Sequence, residues 1–220
     1  VPVADMVTFE TNVRNKKAGF SVWQESGTGE RIPVLWRDVY YPILVCKSAT
    51  NVARCVGFDC GADPQLRKAL ETCMRLGTVT GTIPEQPVWQ DGKNATLFVF
   101  QPVYSLRSVP KALCGFVLVM IRPDKILRNA YTSAGTDKRA YVAAELVELD
   151  TIRPPQKFAS ASRFAFQPVK PRLLRNSGDP LHLTLPLFHF GKAYAAIICA
   201  ESAYYENYPL RLGWATTLTG

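Results

Sequence analysis

The chain of 220 residues carries 26 Lys and Arg against 18 Asp and Glu, a net charge of +8, and 47% of its residues are apolar. That balance excludes a disordered tail and is enough to bury one large core or two small ones. The basic residues are scattered, with Lys16-Lys17 and Lys138-Arg139 as adjacent pairs and "KPRLLR" (170–175) as the densest patch, so no nucleic-acid partner is expected. No run reaches the roughly 18–20 apolar residues that span a bilayer. The longest, "CGFVLVMI" (114–121) and "AYAAIICA" (193–200), suit buried strands. The abrupt start at Val1 and stop at Gly220 read as a portion of a longer chain.

In chain order, "DMVTFETNVRNKKA" (5–18) predicts a short helix with Met6, Phe9 and Val13 at helical spacing and Asp5 as its cap. "GFSVWQE" (19–25) alternates as a strand does, and "SGTGERIP" (26–33) reads as a loop. "YYPILVC" (40–46) is apolar and β-rich enough for a central strand. Residues 63–77 predict a helix, with Asp63 at the cap, Pro64 at the first position, Gly77 as the stop, and Leu66, Leu70, Cys73 and Met74 on one face. Strands are expected at 78–90, 95–105 and 113–122, then a helix or connector at 123–140. Further strands are expected at 141–149, 181–191 and 193–201, around an irregular Pro-, Lys- and Arg-rich segment at 153–180. The fold class is α/β in the α+β sense: two PAS-like lobes, 1–126 and 127–220, each with an antiparallel sheet.

The search for chemistry finds little. Six cysteines (46, 55, 60, 73, 114, 199) include no Cys-x2-Cys knuckle, and His182 and His189 lie far from most of them, so no metal and no cofactor is expected. Cys46, Cys114 and Cys199 sit in apolar strand-like runs and Cys73 on an apolar helix face, which predicts mostly buried free thiols. At least one disulfide is the alternative, and six cysteines allow 15 complete pairings. No nucleophile elbow, Gly-rich phosphate loop or His-Glu-x-x-His is present, so no catalytic residue is assigned and the fragment is not read as an enzyme. Asp59 in "GFDCG" is either a base or the stabiliser of its own turn, and a Cys60 nucleophile would need a thiolate-stabilising environment.

Stretches from "VPVADMVTFE" at the start to "RLGWATTLTG" at the end cover nearly the whole chain, and within them Tyr41-Pro42, Asn51, Gly57-Phe58-Asp59, Arg67, Gly77, Pro102-Val103-Tyr104 and Gly115-Phe116 form an ordered set. In this set the sequence resembles the CHASE domains, extracytoplasmic sensor modules of membrane-bound histidine kinases and cyclases. The resemblance implies a long N-terminal helix, mostly missing here, then a membrane-distal lobe that binds ligand and a membrane-proximal lobe. It also implies flanking transmembrane helices and a homodimer in the full receptor. The partner it implies is a small molecule.

Family ligands lie between the first sheet and its covering loops, which the resemblance maps onto Lys47, Ser48, Leu70, Thr80, Thr82, Phe98 and Phe100. Thr82 matches a threonine that hydrogen-bonds ligand in the plant hormone receptors of the family; strand packing is the alternative for it and for the two phenylalanines. Those receptors carry an acidic residue where this chain has Lys47-Ser48. A cation cannot accept the N–H bonds a carboxylate would, so a neutral or anionic metabolite is expected, unless Lys47 points to solvent. Residues 41–73 are accordingly read as a pocket wall. Asp59 and Arg67 follow the family pattern in structural roles, Arg67 pairing with Asp59 or Asp63.

Overall fold

The computed structural model describes residues 1–47, 55–84, 95–107, 112–133, 142–150, 154–161 and 182–200. The chain divides into two compact units, Val1–Ile121 and Arg122–Gly220. It mixes helix with sheet, and every strand ladder among the described residues is antiparallel. Ser48, the far half of the strand expected at 78–90 and the "KPRLLR" patch lie outside the described residues.

In the first unit a 3₁₀ turn, Val3–Asp5, precedes helix α1 (Met6–Arg14). Asp5 is therefore already wound into a turn and makes no side-chain capping bond, contrary to the expected cap. Strand β1 (Trp23–Glu25) pairs with β2 (Arg31–Pro33). Residues 26–33 were expected to be a loop throughout, yet a tight turn closes at Ser26–Gly29, with the Gly29 N–H donating to the Ser26 carbonyl at 2.9 Å. That leaves 31–33 free to pair.

"YYPILVC" forms no strand ladder. Its Tyr41 and Ile43 exchange backbone hydrogen bonds with 57–60 on one side, and Pro42 makes a single bridge to Asp59. Pro42 has no N–H to offer, so the run cannot continue as a central strand. The 57–59 turn is clamped between this segment and β1: Trp23 N–H donates to the Gly57 carbonyl at 3.0 Å and Asp59 N–H to the Trp23 carbonyl at 2.9 Å. Gly57 has φ 86°, and a Cβ there would collide with the Ser21 carbonyl oxygen, so only glycine fits.

Helix α2 (Pro64–Leu76) follows the sequence expectation except at Met74, which is exposed; the buried face is Leu66, Ala69, Leu70 and Cys73. Asp63 Oδ1 accepts from Gln65 N at 2.9 Å and Leu66 N at 2.8 Å, Pro64 occupies the first turn, and Gly77 closes the helix in the left-handed region. The sheet beside it runs in the order β3 (Thr80–Thr82), β4 (Leu97–Tyr104), β5 (Leu113–Ile121). Leu66, Ala69, Leu70 and Cys73 of α2 form one core with Phe98, Phe100, Trp23, Phe58 and Cys60, onto which Tyr41, Ile43, Phe116 and Leu118 pack.

The second unit opens with α3 (Pro123–Ser133) and has one sheet in the order β7-β6-β9-β8. Its strands are β6 (Val142–Leu149), β7 (Gln156–Ala161), β8 (His182–His189) and β9 (Lys192–Ala200). Strand β7 corrects the reading of 153–180 as wholly irregular; Phe158 and Ala159 supply its apolar character, with the Phe158 ring edge-on to Tyr194. The core of this sheet is Val147, Ala195, Ile197 and Cys199.

Candidate ligand-binding site

The β3–β4 register sets Thr80 directly opposite Phe100 and Thr82 directly opposite Phe98. Residues that face each other across a ladder project to the same side of the sheet, so all four share one face. That face is the one packed against α2, because Leu70, Phe98 and Phe100 belong to one cluster. Five of the seven mapped residues are thereby brought together. Phe98 is 0% exposed, and Leu70 and Phe100 are each 1% exposed. Thr80 and Thr82 are also buried, and the Thr80 hydroxyl donates to the Thr78 carbonyl at 3.4 Å. Lys47 is exposed, at the edge of the described segment.

Cys73 joins helix to sheet, its Sγ donating to the Phe100 carbonyl at 3.4 Å. Burial pushes its thiol above the ordinary value, and hydrogen bonding to Thr80 pulls partly back. The face is thus buried and apolar, with two strand hydroxyls along β3.

Asp59 is the second constellation. It is fully buried, and its Oδ1 accepts from Tyr41 N at 2.7 Å and from Gly61 N at 3.0 Å. Its Oδ2 accepts from Arg37 Nη1 at 3.1 Å. Arg37 Nη2 donates to Gln24 Oε1 at 2.9 Å, and that oxygen also accepts from Leu35 N at 3.2 Å. Asp59 therefore holds its own turn, as one of the sequence alternatives had it. Its ionic partner, however, is Arg37 and not Arg67. With both oxygens engaged in orienting backbone and guanidinium, the carboxylate is a structural hub. Sequence reasoning missed Arg37, Gln24 and Tyr41 here, since nothing local marks a pair 22 residues apart.

The cysteine expectation needs correction. Cys46 and Cys55 form a disulfide with a Cα separation of 6.6 Å, inside the range a bridge requires. Backbone hydrogen bonds between Ile43 and residues 57–58 set the two flanking segments side by side, which brings the two cysteines together. Cys60, Cys73, Cys114 and Cys199 remain thiols, but Cys114 is exposed and not buried; it falls where the β4–β5 register shifts, between the partners of Val103 and Tyr104. Burial drives the Cys60 thiol strongly upward, and the Asp59 and Asp63 carboxylates add to the shift. This is the opposite of what a nucleophilic thiolate needs.

Among the described residues no group of three or more His, Cys, Asp and Glu is arranged to hold a metal ion. No described helix is long and apolar enough to cross a membrane. Compared with known families, residues 1–157 match the CHASE domain, which accounts for the ordered motifs and includes every residue of both constellations. The chain belongs to the CHASE family.

CHASE domains are extracytoplasmic sensor modules of membrane receptors and are not catalytic. No curated protein matches the chain.

Proposed function

We propose that this CHASE chain is the ligand-binding sensor of a transmembrane receptor whose cytoplasmic output is a histidine kinase of a two-component system or a cyclic-di-GMP enzyme. The reading rests on family membership over residues 1–157. In it the two units, Val1–Ile121 and Arg122–Gly220, act as the PAS-like lobes that the sequence divides at 126/127, the membrane-distal first receiving a small neutral or anionic metabolite and the second adjoining the membrane. Thr80, Thr82, Phe98, Phe100 and Leu70 support this assignment by converging on one face, with Lys47 and Ser48 proposed at its rim. The receptor works as a homodimer, and ligand biases an equilibrium between two arrangements of it.

A second reading is favoured by one observation: Phe98 and Phe100 are almost wholly covered by the protein's own side chains. In that reading the lobe transmits dimer geometry or receives a protein partner and takes no metabolite. A thermal-shift screen against a metabolite panel separates the two, because a ligand that binds the native state raises the unfolding midpoint. A saturable shift that Thr82→Val or Lys47→Ala weakens supports the sensor reading. Its absence across the panel favours the interaction module.

A further inference from the structure

Six large apolar side chains of the first unit stand in water: Val7 on α1, and Leu35, Trp36, Val39, Leu44 and Val45 on the segment after β2. Hydrogen bonds set that segment along the helix. At the N-terminal end of α1, Val3 N donates to the Asp38 carbonyl and Tyr40 N to the Val1 carbonyl. Just past its C-terminal end, Lys17 Nζ donates to the Leu44 carbonyl. We propose that this face pairs with its counterpart on a second copy of the chain, about a two-fold axis that sets the two α1 helices in opposite directions.

Area and charge both select a second copy. Trp36 is 75% exposed and Val7 79%, and the six residues leave about 600 Å² to water, the top of the range for the largest patch on a monomer. A stable interface takes about 800 Å² from each partner, a little over half of it apolar, and the six supply that share. Asp5 and Asp38, both exposed, stand at the end of the face where Val3 meets Asp38. Lys16 and Lys17, also exposed, stand at the other end, where Lys17 meets Leu44. Opposed helices lay the acidic end of one copy against the basic end of the other, twice over. A chain of net charge +8 resists self-contacts that lack such matching. The aromatic anchor is set in advance. Leu35 N donates to Gln24 Oε1 at 3.2 Å, while Tyr40 Oη accepts from Arg37 N at 3.1 Å and donates to the Leu35 carbonyl at 3.3 Å. These bonds hold the backbone on both sides of Trp36, so docking its exposed indole orders little that is not already ordered. The pairing rests on the homodimer proposed above and gives it a face.

Sedimentation equilibrium of the whole chain should show monomer and dimer and no larger species. Trp36→Ser should weaken the dimer about thirtyfold or more, as loss of an interface hot spot does. Asp38→Lys and Lys16→Glu should each weaken it about tenfold or more, because like charges then meet. An equimolar mixture of those two variants should recover the dimer as a heterodimer, since the reversed ends match again. A variant that had merely disturbed the fold would not be rescued in this way. The proposal is overturned by a chain that stays monomeric up to its solubility limit, or by species that grow beyond the dimer. It is equally overturned if Trp36→Ser or the single charge variants dimerise as the parent does, or if the mixture is no more dimeric than its parts. The thermal-shift screen is read independently: a monomer that binds a metabolite sinks this face alone, and a dimer that binds none leaves the face standing and removes the metabolite reading.

Discussion

The Arg37 guanidinium lies 3.1 Å from the Asp59 carboxylate, at a point where the carboxylate is 0% exposed. Around this pair the β1–β2 hairpin, the approach to Tyr41 and the 57–61 turn are fastened together, through Gln24, Tyr41 and Gly61 respectively. Removing one member strands a buried charge, which costs far more than the pair itself contributes. Arg37→Met and Asp59→Leu should each destabilise the first unit by about 3–5 kcal/mol. The double variant should lose clearly less than the sum of the two. Urea unfolding of all four proteins checks this, and strict additivity would show that the pair is not coupled.

The disulfide sets a thiol count. Six cysteines less the two of the Cys46–Cys55 bridge leave four, so denatured, unreduced protein should titrate four thiols where a fully reduced chain gives six. A sequence separation of 9 makes a short closed loop, and reducing the bridge should cost about 2–3 kcal/mol in the loop-entropy account. The Cys46→Ser/Cys55→Ser variant should then titrate four thiols with or without reductant. A count of six in the parent protein removes the bridge.

What the sequence made legible is what local chemistry decides. Helix α2 was readable because Asp63, Pro64 and Gly77 act within one turn of the ends they fix. Strands β4 and β5 were readable because long apolar β-branched and aromatic runs suit few other structures. The extended run at 41–46 had the same composition, but Pro42 and the hydrogen bonds to 57–60 decide its state, and those partners lie more than ten residues away. Strand β2 exists because β1 recruits it, with Arg31 stacked over Trp23, a tertiary effect that outweighs the loop-like composition of 26–33. In the candidate site, alternation placed Phe98 and Phe100 together and set Leu70 on the inner face of its helix. The pairing of Thr80 and Thr82 against them needed the β3–β4 register. For Asp59 the spacing suggested Arg67, four residues past Asp63, whereas the fold delivers Arg37 from the loop after β2.

The α2 face also separates packing from recognition. Phe98 is 0% exposed, so Phe98→Ala should cost about 3–5 kcal/mol through lost burial and the cavity left behind. Lys47 is exposed, and Lys47→Ala should leave stability within about 0.5 kcal/mol of the parent. If Lys47 contacts an anionic ligand, its loss lowers affinity by about tenfold to a hundredfold at that unchanged stability. Paired unfolding curves and ligand titrations measure both quantities. A marked stability loss in Lys47→Ala would assign the residue a structural role.

The thiols give a test by reactivity and by pH. In the folded protein Cys60 and Cys73 are buried while Cys114 is exposed. Iodoacetamide should therefore label Cys114 and spare Cys60 and Cys73, as read by peptide mass spectrometry. Burial, together with the Asp59 and Asp63 carboxylates, raises the Cys60 pKa above its unfolded value of 9.0, and burial raises Cys73 as well. Below that value both states keep the proton and the thiols add no pH dependence. Above it the unfolded chain releases protons that the folded one retains, so the folded state is progressively disfavoured. Stability should be flat toward neutral pH and fall above about pH 9, by up to about 1.4 kcal/mol per pH unit for each thiol held protonated. Cys60→Ala should lower stability at neutral pH, because it empties a packed position, yet soften the alkaline decline. An equally steep decline in that variant, or ready alkylation of Cys60 in the folded protein, would show that this thiol is not sequestered as the core places it.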